Sequence, residues 1–265
     1  MTVWKAILLG ILQGLTEFLP ISSSGHLVLA QHLLGIRGPE LAFNLLLHLG
    51  TVLAILVFLR QEISWMLGSL LRKDTGFATP AWGARDLLLV AASCVPTVGI
   101  GFALIGFLET GFTLRGVGCA YLVLSLLLLV SNLRFRHKLD PERISAWDAV
   151  AIGIAQGAAV LPGISRSGAT ISLALLLGIG ASRSAKYSFL ISLPVILGAA
   201  VLTLYRGVSA LPGVLPSTAG FLFSLVTGYA SLLLVERVVT RGRLLRFAPY
   251  TLLLAAGSFF LYWKG

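Results

Sequence analysis

The stretch "EFLPISSSGH", Glu17 to His26, decides how this chain must fold. It places a carboxylate, three consecutive serines, a glycine and a histidine in the middle of the apolar stretch 4–36. A membrane-spanning helix needs about 20 mostly apolar residues, and a lone ion at the bilayer centre costs at least a few kcal/mol. The pattern therefore predicts a broken helix that turns back around a polar site.

The rest of the chain has the composition of a polytopic membrane protein. Its 265 residues are 57% hydrophobic and 11% charged, whereas a soluble domain is about 25% charged. The net charge of +10 would suggest nucleic acid in a soluble protein, but here the basic residues lie in short segments between apolar runs. We therefore expect membrane lipids as partners and no nucleic acid. The predicted spans are 41–60, 86–107, 116–134, 186–206, 217–236 and 247–263.

A second broken stretch, 146–180, matches the first and is interrupted at "LPGISRSGAT", Leu161 to Thr170. With Trp147 aligned on Trp4, the two stretches share about a dozen identities, including a Gln-Gly pair, Ser-x-Ser-Gly and a closing Leu-Leu-Gly-Ile. This is an internal repeat. We place repeat 1 at about 1–60 and repeat 2 at about 146–206, within a single domain 1–265.

The positive-inside rule predicts opposite orientations for the repeats, because three basic segments belong in the cytoplasm and segments 108–115 and 207–216 outside. Span 41–60 then runs inward and span 186–206 runs outward. The predicted fold is all-α, with six transmembrane helices, two re-entrant helical hairpins (4–36 and 146–180), inverted-topology repeats and both termini outside. The basic segments contain Arg60, Arg72, Lys73 and Arg85; Arg134, Arg136, Lys138 and Arg143; and Arg237, Arg241, Arg243 and Arg246.

Two ionisable residues lie at the two interruptions. Of the ten acidic residues, Glu17 alone lies well inside an apolar stretch, and among the basic residues this is true of Arg166. Ions at such depth usually mark a functional site, although an ion pair that only holds two hairpins together is the structural alternative. We expect Glu17 and Arg166 to share one site.

The residues around both ions favour phosphate binding and phosphoester chemistry. Arginine, hydroxyls and backbone amides suit a phosphate, a serine or a water can attack it, and a carboxylate or histidine can move protons. Glu17 can also hold Mg²⁺ or Ca²⁺. His48 either lines the cavity or is a packed histidine. The candidate catalytic residues are Glu17, Ser23, His26 and Arg166, and the candidate substrate-binding residues are Gln13, Ser22, Ser24, Ser165, Ser167, Gly168 and Thr170.

The segments "QGLTEFLPISSSGH" and "LPGISRSGATIS" resemble the two signatures of the undecaprenyl-diphosphatase family, the bacitracin-resistance type of integral-membrane lipid phosphatase. "FNLLLHLGTVLA" and "SFLISLPVILGA" resemble the segments that follow each signature, so the resemblance covers nearly the whole chain. It implies hydrolysis of a polyprenyl diphosphate to the monophosphate and inorganic phosphate, with a divalent cation. It also implies recycling of the cell-wall lipid carrier at the outer side of the cytoplasmic membrane. The partners we expect are the lipid substrate and a second copy of the chain in a homodimer.

The resemblance implies functional roles for Glu17, Ser22, Ser23, His26, Ser165, Arg166 and Thr170. Gln13 stands where the family often has a first carboxylate, and Asn44 where some relatives carry an acid. More of the proton and metal chemistry therefore falls on Glu17.

Two other functions stay open at this level. A transporter of a lipid phosphate would use the same inverted repeats and midplane site. A phosphohistidine lipid phosphatase ranks lower, because no histidine follows Arg166 and no Lys/Arg-rich motif precedes "SSSGH".

Overall fold

A computed structural model describes residues 1–36, 41–71, 82–111, 113–135, 144–207 and 211–264. Within these ranges the chain is helical and contains no strand. A short 3-10 helix, Leu244–Phe247, precedes the last α-helix. The described α-helices are α1 Val3–Phe18, α2 Ser23–Leu33, α3 Leu41–Phe58, α4 Arg60–Leu71, α5 Ala84–Gly111, α6 Leu114–Phe135, α7 Ala146–Ala158, α8 Arg166–Leu176, α9 Ala181–Tyr205, α10 Val214–Thr240 and α11 Ala248–Lys264.

The six predicted spans are confirmed, with boundaries that differ by a few residues. Many of their apolar side chains point outward, such as Val95 (73% exposed) and Leu253 (71% exposed). So many exposed large apolar side chains along long helices are typical of a surface that lipid covers. The chain is thus a multi-pass membrane protein. The helices in the described ranges that are long and apolar enough to cross a membrane are Leu41–Phe58, Ala84–Leu104, Leu114–Asn132, Ala181–Tyr205, Val214–Thr240 and Leu244–Lys264.

Part of the first basic segment is helical, which the sequence did not predict. Its residues 60–71 form helix α4, because Ile63 and Met66 lie one turn apart and pack against the core on a single face. Arg85 likewise lies in the first turn of α5. The predicted basic residues Arg72, Lys73, Arg136, Lys138 and Arg143 lie outside the described residues.

Both apolar stretches break where the sequence predicted, and each gives two short helices. We call α1 and α2 the first helix pair and α7 and α8 the second helix pair. Helix α1 ends at Phe18, and Leu19 is extended, as residues before a proline prefer. Helix α7 ends at Ala158, and the turn after it uses Gly163 at φ 101°, where a Cβ would also lie 2.8 Å from the carbonyl oxygen of Val117.

Each helix pair packs its first helix against a long helix through a glycine. A Cβ on Gly10 of α1 would lie 2.4 Å from the carbonyl oxygen of Gly220 in α10. A Cβ on Gly153 of α7 would lie 2.2 Å from the carbonyl oxygen of Ser93 in α5. Small residues allow such close backbone approach between helices within a membrane. Both helix pairs are therefore held in the fold by the same kind of contact, in which a glycine of the first helix packs against the backbone of a long helix.

Ion pairs that the sequence did not indicate, with three of their four charged side chains buried, join helices at one end of the molecule. Arg183 in α9 is hydrogen-bonded to Asp86 in α5, and its guanidinium lies 4.2 Å from the ring centre of Trp82. One turn further along, Lys186 donates to Glu62 of α4 at 2.7 Å. Both pairs lie near the N-terminal end of α9. The cavity described below lies near its C-terminal end.

Candidate active site

A cavity of about 410 Å³ lies where the turns of the two helix pairs meet. Helices α3 and α9 complete its walls through residues near the N-terminus of α3 and the C-terminal half of α9, such as Asn44 and Thr203. Of the predicted site residues, those that line the cavity are Glu17, Ser22, Ser23, Ser24, Ser165 and Arg166, while Gln13, His26, Ser167, Gly168 and Thr170 lie outside its lining.

Glu17 is at the centre of the polar contacts in this cavity, and its side chain is only 6% exposed. One carboxylate oxygen, Oε2, accepts hydrogen bonds from Ser23 Oγ at 2.7 Å and from Gln13 Nε2 at 3.0 Å. The other, Oε1, accepts from Arg166 Nη2. His48 Nε2 lies 3.7 Å from Oε2. The structure therefore brings together the two ions that the sequence placed at the separate interruptions.

Arg166 is the first residue of α8 and reaches across to the first helix pair. Its Nη1 also donates to the carbonyl oxygen of Ser192 at 3.4 Å, which holds the planar guanidinium at the cavity wall. A guanidinium that carries five donors has capacity for an anionic ligand beyond these two contacts. Arg166 is placed to bind a phosphate that enters the cavity beside Glu17.

Ser165 and Ser167 connect the second helix pair to the first. Ser165 caps α8 by accepting from the backbone nitrogen of Gly168 at 3.2 Å, and its hydroxyl lies 3.1 Å from that of Ser167. Both hydroxyls also donate to the carbonyl oxygen of Leu19 at 3.3 Å. Together with the backbone nitrogen of Ile21, which donates to the same oxygen at 2.8 Å, these bonds satisfy a carbonyl at the break of α1, where the helix no longer does so.

Gly168 and Thr170 make structural contacts with neighbouring helices. A Cβ on Gly168 would lie 2.7 Å from Leu124 of α6 and 3.0 Å from Pro20, so glycine permits the contact between α8, α6 and the first turn. Thr170 Oγ1 lies 2.8 Å from the carbonyl oxygen of Arg166 and 2.5 Å from Ser188 Oγ, with the residue fully buried. Thr170 therefore anchors α8 to α9 in this structure.

His26 faces away from Glu17. Its Nδ1 lies 2.7 Å from the carbonyl oxygen of Ser22, and its Nε2 lies 2.5 Å from the hydroxyl of Tyr250 in α11. Both ring nitrogens are thus engaged, and neither contacts the carboxylate. The histidine that contributes to the cavity wall is His48, whose Nδ1 lies 2.7 Å from the carbonyl oxygen of Asn44.

Sequence reasoning missed Gln156 and Tyr250. Gln156 lines the cavity and aligns with Gln13 in the internal repeat, so the shared Gln-Gly pair was the signal for it. Tyr250 gave no signal, because it stands near the start of an ordinary apolar span, 224 positions from the histidine that it contacts.

The donor set near Glu17 fits a hard divalent cation once phosphate oxygens are added. Among the described residues no group of three or more His, Cys, Asp or Glu could hold a metal by itself. Gln13 Oε1, however, is buried beside Glu17 without a hydrogen-bond partner. Magnesium is commonly bound by one or two carboxylates together with substrate phosphates. Glu17 and Gln13 could hold such a cation.

The fold and the cavity together define a multi-pass membrane protein that gathers a carboxylate, a serine and an arginine in one buried polar site. The chain belongs to the family described as bacitracin resistance protein BacA, whose model matches residues 6–257.

Curated relatives resemble the chain over nearly its full length. A protein of Desulfosudis oleivorans named undecaprenyl-diphosphatase is 41% identical, over 94% of this chain and 95% of its own. Proteins with the same name from Carboxydothermus hydrogenoformans (37% identical, over 98% of this chain and 100% of its own) and Rubrobacter xylanophilus (41% identical, over 95% of each) are also similar.

Proposed function

We propose that this protein is a hydrolase that cleaves undecaprenyl diphosphate to the monophosphate and inorganic phosphate. The observation that carries the proposal is the contact of Ser23 and Arg166 with a single buried carboxylate, Glu17. Phosphoryl transfer is favoured where a nucleophile is hydrogen-bonded to a base and a positively charged side chain, here the Arg166 guanidinium, is held beside them. The family and the names of the relatives support the same activity. They do not favour the transporter that the sequence left open.

The roles of the residues follow from their contacts. Ser23 Oγ attacks the terminal phosphorus while its proton passes to Glu17 Oε2, the oxygen to which it is hydrogen-bonded. The bond from phosphorus to the bridging oxygen breaks, and the lipid monophosphate leaves with the electron pair. Water then attacks the phosphorus of the phosphoserine. Its hydroxyl stays on the phosphorus, its other proton leaves with the inorganic phosphate, and Ser23 Oγ departs with the electron pair and takes back the proton from Glu17. Arg166 holds the charged oxygens of the transferred group.

Glu17 and Gln13 would hold the divalent cation, Mg²⁺ or Ca²⁺, together with the diphosphate of the substrate. Support comes from the oxygen-rich donor set and from the unpartnered Gln13 Oε1. When bound, the cation neutralises charge on the diphosphate. Ser22 and Ser24 donate hydroxyl hydrogen bonds to phosphate oxygens from the cavity wall, while the hydroxyl of Ser165, which also lines the wall, stays bonded to the carbonyl oxygen of Leu19.

The lipid tail leaves the cavity sideways between α3 and α9. Apolar residues of both helices continue the polar site toward the membrane, including Leu41 and Leu45 on one side and Val195 and Ile196 on the other. An isoprenoid chain stays in an apolar environment along this path, so only the diphosphate must be desolvated.

The two helix pairs are re-entrant hairpins of inverted-topology repeats. The packing of the helices supports this, since exchanging the repeats maps several of the helix contacts onto one another. Helix α1 packs on α10 as α7 packs on α5, and α3 packs on both α9 and α10 as α9 packs on both α3 and α5. A break at membrane depth is tolerated where it lines a polar cavity.

The cavity opens to the outer side of the cytoplasmic membrane. Arg60, Arg85 and Arg237 lie at the end of the molecule where α3 and α10 end and α5 begins, and the positive-inside rule assigns that end to the cytoplasm. The cavity lies at the other end of the molecule, near the N-terminus of α3 and the C-terminus of α9. In this position the enzyme recycles the lipid carrier for cell-wall synthesis and confers bacitracin resistance. The predicted homodimer stays a prediction.

The test is phosphate release from undecaprenyl diphosphate by the purified protein in detergent, with and without EDTA. We expect one phosphate per lipid, loss of activity with EDTA, and no release from undecaprenyl monophosphate. A folded protein that binds the diphosphate without releasing phosphate would contradict the enzyme and favour a transporter.

A further inference from the structure

The backbone of Ser22 is strained. It has φ 69° and ψ 97° and is the only non-glycine residue with a positive φ in the described part of the chain. These angles lie outside the small left-handed region that ordinary residues occupy. Such conformations persist when surrounding contacts hold them, and they cluster at functional sites. Ser22 directly precedes Ser23, so its backbone angles set where the Ser23 hydroxyl points.

The carbonyl oxygen of Ser22 is held by His26. A carbonyl oxygen can only accept, so His26 Nδ1, at 2.7 Å from it, must carry the proton. In the neutral ring Nε2 is then an acceptor, and the Tyr250 hydroxyl at 2.5 Å must donate to it. The Ser22 carbonyl oxygen therefore selects the Nδ1–H tautomer of His26, and the Tyr250 hydroxyl, which can donate as well as accept, stabilises that tautomer by donating to Nε2.

Tyr250 is itself fixed relative to the second helix pair. The neighbouring Thr251 is fully buried, and its Oγ1 lies 2.6 Å from Ser125 Oγ of α6. Helix α6 packs against the second helix pair, where Leu124 contacts Gly168. The His26 and Tyr250 rings are also stacked, with centroids 5.8 Å apart. The position of the Ser22 turn is thus tied, through α11 and α6, to the pair that carries Arg166.

We propose that Tyr250 is a positioning residue for the hydrolysis: it holds His26 as the Nδ1–H tautomer, and His26 holds the strained Ser22 turn that aims Ser23 at Glu17. The kinetic part of this inference rests on the proposed function. Tyr250 does not line the cavity, so it acts on the rate of the chemical step and not on substrate binding.

The second helix pair shows why the first needs this support. Ser165 stands at the position equivalent to Ser22, has an ordinary φ of −79° and stabilises its turn by capping α8. Ser22 makes no side-chain cap to α2. In the first helix pair, the bonds from Tyr250 to His26 and from His26 to Ser22 take the place of the cap.

The first arm of the test compares Tyr250→Phe with Tyr262→Phe. Both substitutions remove one hydroxyl from α11, at residues that are 40% and 44% exposed. Tyr250→Phe should lower kcat about fivefold and change KM by less than about twofold, while Tyr262→Phe changes neither. An unchanged kcat in Tyr250→Phe, or a change in KM alone, would overturn the proposal.

The second arm places Tyr250→Phe in a Ser22→Gly background. Glycine adopts positive φ without strain, so the turn no longer depends on the support from His26. The fivefold loss in kcat should shrink to below about twofold in this background. The same fold-loss in both backgrounds would show that Tyr250 acts by another route and would overturn the proposal.

The third arm does not depend on activity. In protein labelled with ¹⁵N-histidine, the His26 signal, assigned by its loss in His26→Asn, should report Nδ1–H in the wild type and a tautomer mixture in Tyr250→Phe. A wild-type protein with the Nε2–H tautomer would overturn the proposal. If the wild type released no phosphate, the proposed function would fail, and this arm alone would decide the role of Tyr250.

Discussion

The first and second helix pairs are built on one sequence pattern, yet they bring different chemistry to the cavity. With Trp147 aligned on Trp4, Glu17 falls opposite Val160 and Ser23 opposite Arg166. The positions that fix the backbone stay alike, as Gly10 and Gly153 show by their contacts with α10 and α5. Packing thus constrains the first and second helix pairs alike. The opposite charges of Glu17 and Arg166 lie on different pairs and meet where the turns of the two pairs contact each other.

The two turns also differ in how they are stabilised. The second turn is self-contained, because Ser165 caps its own helix, and most of α8 is buried. The first turn depends on distant residues, and α2 leaves Val28 and Leu33 at 67% and 74% exposed. The helix pair that carries the proposed nucleophile is therefore the less enclosed one, and its geometry depends more on its neighbours.

The largest expected effect comes from removing the single carboxylate of the cavity. Glu17→Gln should lower phosphate release about 10⁴-fold, because it removes the base and the anionic partner of Arg166. The matched control is Glu62→Gln, a carboxylate of similar burial that accepts from Lys186 far from the cavity. Release within about twofold of the wild type is expected for the control. Equal losses in both variants would indicate a folding defect.

The next effect concerns Ser23, the proposed nucleophile, whose position in the second helix pair is taken by Arg166. Ser23→Ala should lower phosphate release about 10³-fold, since the proposed nucleophile is lost while the site keeps its other groups. Ser258→Ala in α11, whose hydroxyl bonds only to the carbonyl of Leu254, is the control. A trapped phosphoserine that disappears in Ser23→Ala completes the measurement. Activity near the wild-type level in Ser23→Ala would assign the attack to water.

A moderate effect on stability is expected at the shared packing glycines. Gly10→Ala and Gly153→Ala should each lower the free energy of unfolding by about 2 kcal/mol, since the new methyl meets a backbone oxygen. Gly257→Ala, which meets nothing within 4 Å, should not destabilise the protein. Thermal unfolding in detergent, followed by intrinsic fluorescence, compares the three. A loss at Gly10 alone would mean that the two pairs are not held alike.

The smallest expected effect distinguishes how the turns of the two helix pairs are stabilised. Ser165→Ala should cost about 1 kcal/mol through loss of the cap of α8. Ser22→Gly should leave the unfolding temperature unchanged or raise it, because glycine relieves the positive φ and no cap is lost. The same thermal unfolding assay measures both. A drop in Ser22→Gly as large as in Ser165→Ala would show that the two turns are stabilised in the same way.

Much of the site could be predicted because ions and turn residues are conspicuous in an apolar chain. Glu17 and Arg166 stood out for that reason, and the repeat suggested that they meet. The side-chain direction of His26 could not be predicted, because a helical residue can face the cavity or a neighbouring helix with the same local sequence. Helix α4 was missed because its single apolar face is short.

The sequence by itself determined the membrane class, the six spans, the two breaks and the opposite charges at them, since each follows from local hydropathy, Pro, Gly and Ser. Only the tertiary structure decided which groups touch. It hydrogen-bonded Ser23 to Glu17, turned His26 toward Tyr250 and left Ser22 at positive φ. The contact of His26 with Tyr250 joins residues 224 positions apart, and no local pattern encodes the packing that brings their helices together.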